Sequence, residues 1–322
     1  MNKFLARCVT ALALAVTSLG VAANPVYPSR PITLVVAYPA GGSTDMVARK
    51  WGDELSKRLK QPVVIENVGG LIGARRVAKA TADGYTLLLG SVNEVVLSPL
   101  TNKNPPYKTR ELRAVGILGA SPVILLANKS KGFKSIADIV AAAKRNGQIS
   151  YGTPGRGTFP HIVMHALENQ LKVNLLHIPY KGGAPFIQDA LAGQIDLILL
   201  PTVTALPMLA SNQMQGVASS SGVRVDAAQG LPTFGESMTE LKGFDYTIWA
   251  GLFAPAGTPT PIIDKLNSSL REAHQSEAIQ AFIRASGMAT PATGLDLLGA
   301  QRFLDAEERK YRAIVPGMQL ED

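Results

Sequence analysis

Cysteine is nearly absent from this 322-residue chain: Cys8 is the only one, and it falls inside what reads as a leader. Beyond that leader disulfides and thiol chemistry are excluded. Aromatic residues make up only 6% of the chain and charged residues 17%. The net charge of +8 includes Lys3 and Arg7 of the leader, and the rest is scattered without interleaved aromatics. Such a pattern does not suit nucleic acid; it suits a small anion. Catalytic signatures are missing as well. No G-x-G-x-x-G opens a helix, no G-x-x-x-x-G-K-[ST] occurs, and Ser43, Ser91 and Ser219–Ser221 lack a G-x-S-x-G elbow. His161 and His165 have the spacing of a helical metal pair, but Ile162 follows His161 where the metalloprotease pattern needs glutamate. Asp45 and Asp196 read as a helix-start and a strand-edge residue rather than an acid–base pair. No catalytic set, no metal and no cofactor is expected.

What is present begins at the N-terminus. Lys3 and Arg7 precede an apolar core from Val9 to Val21, which ends in the small residues Ala22-Ala23. This is the layout of a cleaved secretory signal, too short for a membrane span and without a following stop-transfer segment. Residues 1–23 are therefore expected to be a signal peptide cut after Ala23, with export of the mature chain. Arg7 before Cys8 makes that cysteine a poor lipid-attachment site. The mature chain, Asn24 to Asp322, is long enough for two lobes.

Along that chain strand-like and helix-like stretches alternate: Ile32–Tyr38, Thr44–Leu59, Val63–Glu66, Ile72–Ala80 and Thr86–Gly90. Short β-branched apolar runs between amphipathic helices predict parallel strands covered on both faces, a doubly wound α/β fold. A second apolar block, Val115–Ala127, is broken by Ser121-Pro122 and marks the expected first crossing between lobes. The alternation then restarts with Ile136–Arg145, Ile149–Tyr151, Pro160–Leu171, His177–Tyr180, Ala184–Ala192 and Asp196–Leu200. Three amphipathic helices, Ile262–Gln275, Glu277–Ser286 and Leu295–Ile314, are expected to pack back on the first lobe. The expected division is 24–120 with 235–322 as lobe 1, and 121–234 as lobe 2.

Four junctions after strands stand out. The first, Tyr38-Pro39-Ala40-Gly41-Gly42-Ser43-Thr44-Asp45, passes straight into a helix. Glycine lets the backbone approach a ligand, and the first helical N–H groups have no partner inside the helix, so an anion fits there without a cationic side chain. Gly152-Thr153-Pro154-Gly155-Arg156-Gly157-Thr158 repeats the design in the second lobe, with His161 in the helical turn beyond it. Tyr180-Lys181-Gly182-Gly183-Ala184-Pro185 is the third and Gly90-Ser91-Val92-Asn93-Glu94 the fourth. All follow strand carboxyl ends, where open α/β sheets hold their ligands. Each alone is also compatible with a plain capped turn.

Together these segments resemble one family. AYPAGGSTDMVAR, QPVVIEN, ADGYTLLLG, YGTPGRGT, YKGGAP, GQIDL, LPTFGE and WAGLFAPAGTP recur in the order found in the Bug proteins, the TctC-like periplasmic receptors of tripartite tricarboxylate transporters. The resemblance covers nearly all of the mature chain. It implies a two-lobed periplasmic binding protein of the type II, Venus-flytrap kind that closes on a small carboxylate and passes it to membrane transporter subunits. By similarity, Tyr38–Asp45 and Gly152–Thr158 would hold one carboxylate by backbone amides and hydroxyls. Ser91, Asn93, Tyr180, Gly182 and Gly183 would line the remainder, and the loop after Asp196–Leu200 would close it. Where relatives carry a polar residue after that strand this chain has Leu200-Pro201, leaving Thr202 as the nearest hydroxyl. Val68-Gly69-Gly70-Leu71 is shorter than the corresponding loop of relatives. Arg156 stands where relatives are often small; it suits either a bidentate clamp on a second carboxylate or an exposed rim. Glu94 suits either a donor group on the ligand or solvent.

Two other functions use the same features. A ligand sensor would pass its closed state to a histidine kinase, and a secreted hydrolase would pair His161 with a nearby serine. A monomer is expected, because no long apolar face is left after the helices pack.

Overall fold

The computed structural model describes residues 27–145, 147–224, 226–228, 230–290 and 294–318. The expected signal peptide, residues 1–23, lies outside the described residues. Among the described residues no helix is long and apolar enough to cross a membrane.

The first half of the molecule is built on β1 (Ile32–Val36), β2 (Val63–Asn67) and β3 (Thr86–Ser91), parallel in the order β2-β1-β3. Their side chains alternate between two faces. Leu34 and Val36 pack with Val47, Trp51 and Leu55 of helix Ser43–Leu59. Val35 and Leu88 pack on the other face with Ala74 and Val77 of helix Gly70–Ala78. Burial on both sides is why these strands read as continuous apolar runs.

The central strand, β4 (Leu112–Ala127), is shared. Leu112–Pro122 pairs antiparallel with β9 (Thr247–Pro255), which in turn pairs with β3. From Val123 onward the same strand pairs antiparallel with β7 (Leu197–Pro201) and β8 (Gln215–Ser219). β5 (Ser150–Thr153) and β6 (Leu176–Pro179) then extend the second half in parallel with β7. The expected break at Ser121-Pro122 is a change of partner rather than an end. Pro122 has no N–H to offer a ladder. Its carbonyl instead accepts from the Thr202 hydroxyl (2.9 Å), which accepts from Ser121 Oγ (3.1 Å).

The sheet is therefore mixed. The parallel pairs expected from the alternation are β1 with β2 and β3, and β5 with β6 and β7. The strands that leave one half and return to it, β4 and β9, run antiparallel to their neighbours, and β8 with them.

Of the C-terminal helices, Thr260–His274 and Glu277–Ser286 pack against helix Ser43–Leu59, burying Ile263, Leu266 and Leu270 beside Trp51. Leu297–Ile314 does more than pack back on the first half. Its Glu307 accepts from Trp249 Nε1 on β9 (2.8 Å), and its Tyr311 meets Phe159 of the second half edge-on. It thereby bridges the two halves.

Candidate functional site

A cleft of about 480 Å³ opens where the carboxyl ends of the two sets of strands face each other. Tyr38, Ser43, Thr44, Asn93 and Glu94 line it from the first half, and Arg156, Gly157, Thr158 and Gly183 from the second. Val123 on the crossing strand, with Phe159, Phe186, Leu199 and Ile248, supplies an apolar lining.

The first loop leaves β1 through Gly41, whose φ of +83° belongs to the left-handed region. Gly42 then caps helix Ser43–Leu59 with extended backbone, and among the described residues no side-chain cap bond is made there. Ser43 and Thr44, at the positive end of the helix dipole, thus stand on the cleft wall. Asp45 is not part of that wall. It is buried, and its carboxylate accepts from Gly41 N (2.9 Å), Asn67 Nδ2 (2.9 Å) and Arg49 Nε (2.9 Å). These bonds, those from Arg49 first, push its carboxyl down to about 2. Asn67 also donates to the Tyr38 carbonyl (3.0 Å), so the loop is braced from behind. Pro39, Ala40, Gly41 and Gly42 are exposed at its tip.

The loop after β3 turns inward. Asn93–Leu97 forms one wide π-turn, which carries Glu94 into the protein rather than into solvent. A directional chain results: Asn93 Nδ2 donates to the Tyr38 hydroxyl (2.9 Å), Tyr38 to Ser91 Oγ (2.9 Å), and Ser91 Oγ to Glu94 Oε2 (2.8 Å). Burial raises both the Tyr38 hydroxyl and the Glu94 carboxyl above their ordinary values.

The second glycine loop differs from the first. Gly157 N donates to His161 Nδ1 (3.0 Å), and Phe159 N donates across the cleft to Asn93 Oδ1 (2.8 Å). Pro160 has no amide. Thr158 Oγ1 donates to Gly155 O (2.7 Å), while Thr153 is fully buried with Oγ1 against His177 Nε2 (2.7 Å). His161 stacks on His177 at 3.9 Å, and burial is the main cause that lowers them to about 3 and about 4. Both rings are neutral at neutral pH, as an Nδ1 that accepts from an amide requires. His161 therefore holds the loop in shape, its Nδ1 taken by the Gly157 amide. His165 turns to Asn169 Nδ2 (3.0 Å).

Other expected positions have structural partners. Gly152 lies in β5 where a Cβ would come within 2.4 Å of Ile195 Cδ1, so a larger residue would require that side chain to shift. The Tyr180 hydroxyl donates to Asp189 Oδ2 (2.7 Å). Gly182, at φ +111°, turns the chain into helix Gly183–Leu191, which again lacks a side-chain cap and begins at the cleft. Thr202 is fully buried at the crossing; Thr204, two residues on and about 200° around the helix, reaches the cleft instead. Arg156 is exposed and lines the rim. Ser98, Thr101 and Asn102 also line the cleft without having been singled out. With Glu94 they recur at i, i+4, i+7 and i+8, a polar helical stripe legible in the sequence.

Residues 47–320 match the family model described as the tripartite tricarboxylate transporter family receptor, TctC. The chain is 34% identical to protein BugT of Bordetella pertussis over 297 residues, 88% of this chain and 89% of that one. It is similar to the solved structure of the periplasmic binding protein BugD, with 32% identity and a TM-score of 0.81 over 92% of this chain and 99% of BugD. MatC from Rhodopseudomonas palustris with bound malate is 28% identical with a TM-score of 0.80, over 90% of this chain and 100% of MatC. The fold, the cleft and these likenesses agree: the chain belongs to the TctC family of periplasmic receptors of tripartite tricarboxylate transporters.

Proposed function

We propose that this receptor captures a small organic carboxylate between its lobes and delivers it to the membrane subunits of a tripartite tricarboxylate-type transporter. The observation that carries the reading is the uncapped start of helix Ser43–Leu59, whose Ser43 and Thr44 stand on the wall of a cleft shared with Thr158 and Gly183. Unpartnered amides at a helix N-terminus bind an anion without a cation. The malate held by MatC supports a carboxylate as that anion. Asn93, Tyr38 and Arg156 complete the wall, and Asp45, Thr153 and His161 support it from behind.

Export through the 1–23 signal and action as a monomer belong to the same proposal. So does the division into lobes at 120/121. The second boundary is better drawn near Thr247 than at 235, because helix Phe234–Ser237 contacts helix Ile136–Lys144 of the second lobe. Calorimetric titration of the mature protein with mono- and dicarboxylates tests the reading: saturable heat is expected for at least one acid, and none from any of them would sink it.

A further inference from the structure

Glu94 is an unexpected residue in a cleft built for anions. The residue is 5% exposed and lines the same cleft as Ser43 and Thr44. Oε2 accepts from the Ser91 amide (3.1 Å) and hydroxyl (2.8 Å). Burial is the first cause that raises its proton affinity; among the described residues the other groups acting on its carboxyl are Ser91, Tyr38 and its own backbone, with no cation. A buried carboxylate lacking a cation is costly. In a ligand cleft that cost is offset when the ligand brings a donor, and it deepens when the ligand brings a second negative charge. The neighbours on this stretch of wall, Ser98, Thr101 and Asn102, are uncharged. The charged residue facing from the other lobe, Arg156, lies exposed at the rim.

We propose that Glu94 sets the chemistry of the ligand's second polar group: a hydrogen-bond donor, such as an ammonium, amide or hydroxyl, in place of a second carboxylate. This rests on the receptor reading above and names the substrate class within it.

The test is calorimetric titration of wild type and Glu94→Gln with acids matched in length: succinate, succinamate and γ-aminobutyrate, then adipate, adipamate and ε-aminocaproate. In wild type, the donor-bearing acid of at least one set should bind at least about tenfold tighter than its diacid. Glu94→Gln, which keeps an acceptor for Ser91 and adds an N–H donor, should shrink that preference to within about threefold or reverse it. If the diacid of each set binds wild type as tightly as its partners, selection by Glu94 is wrong while the receptor stands. If the preference survives unchanged in a folded Glu94→Gln protein, Glu94 is not its source and the proposal falls. Silence from every one of these acids removes the receptor reading for this class and the proposal with it. Should Glu94→Gln fail to fold, Glu94→Met, which keeps the length and removes the charge, is titrated in its place and read by the same criterion.

Discussion

The loops after β1 and β5 look alike in sequence, each a glycine-rich turn between a buried strand and a helix, yet they present different chemistry. In the first, Asp45 and Asn67 brace the turn from behind and leave Ser43 and Thr44, the first residues of an uncapped helix, on the cleft wall. In the second, His161 takes the Gly157 amide, Asn93 takes the Phe159 amide, and Pro160 has none. The first loop is a donor cradle. The second is chiefly a latch: its Phe159 amide bonds to the opposite lobe, and it brings Gly157 against Thr101 of that lobe. A glycine turn before a helix therefore does not define an anion site until its amides are followed to their partners.

The sharpest way to break the comparison is Ser43→Pro. Proline suits the first position of a helix, and Gly42 before it is already extended, so the helix persists while one cleft donor disappears. Affinity for the tightest-binding acid should fall about tenfold to a hundredfold, with unfolding free energy changed by less than about 1 kcal/mol. Ser43→Ala, which loses only the hydroxyl, should keep most of the affinity; equal losses from both would assign the effect to the hydroxyl instead.

Asp45→Asn probes the brace. It removes the charge that holds Arg49, Gly41 N and Asn67, and should cost about 2 kcal/mol in denaturant unfolding. The pH dependence has a definite sign. The carboxyl titrates near 2 in the folded protein against an ordinary value of 3.8, so the advantage of wild type over the variant is complete above about pH 4 and is lost as pH falls towards 2. An advantage that grew on acidification would show that Asp45 is not held as a carboxylate.

Gly157→Ala acts on the latch. At φ +69° an alanine is strained by about 1 kcal/mol, and its Cβ would lie 3.2 Å from Thr101 Cβ across the cleft. Affinity should fall about fivefold to tenfold for every acid alike, because what is penalised is closure rather than any one ligand contact. Adding Thr101→Ala should recover only the part due to crowding, leaving the backbone strain.

How much of this was legible follows from what each signal measures. Ile32–Val36 and Leu197–Leu200 announce themselves because a strand covered on both faces must be apolar throughout. Gln215–Ser219 and helix Thr202–Ala210 do not, since the strand carries only Val217 as a large apolar residue and Pro207 interrupts the helical pattern. The direction of β4 and β9 was hidden for another reason: alternation speaks of neighbours in sequence, and these strands are defined by the journey between lobes. At the site, the glycines gave the position of both loops, but not their use. Whether Gly157 and Phe159 have free amides depends on His161 and Asn93, and Asn93 is 66 residues away in the chain.

The smallest expected effect isolates that long-range partner. Asn93 accepts the Phe159 N–H with Oδ1 and donates to the Tyr38 hydroxyl with Nδ2, so Asn93→Ala removes one bond between lobes and one within the first. In an open form water satisfies the Phe159 amide, and the loss falls mainly on the closed form. One neutral hydrogen bond is worth about 1 kcal/mol net, so affinity should weaken about threefold to tenfold with little change in melting temperature. The factor should be the same for every acid that binds, the mark of a latch, whereas Ser43→Pro should discriminate among ligands by how each seats its carboxylate. Asn93→Asp keeps an acceptor for Phe159 but places a negative charge on the cleft wall, so it should bind carboxylates more weakly than Asn93→Ala. If Asn93→Asp instead matched wild type, the wall would not be sensing the ligand's charge at this point, and the distinction between cradle and latch would have to be drawn elsewhere.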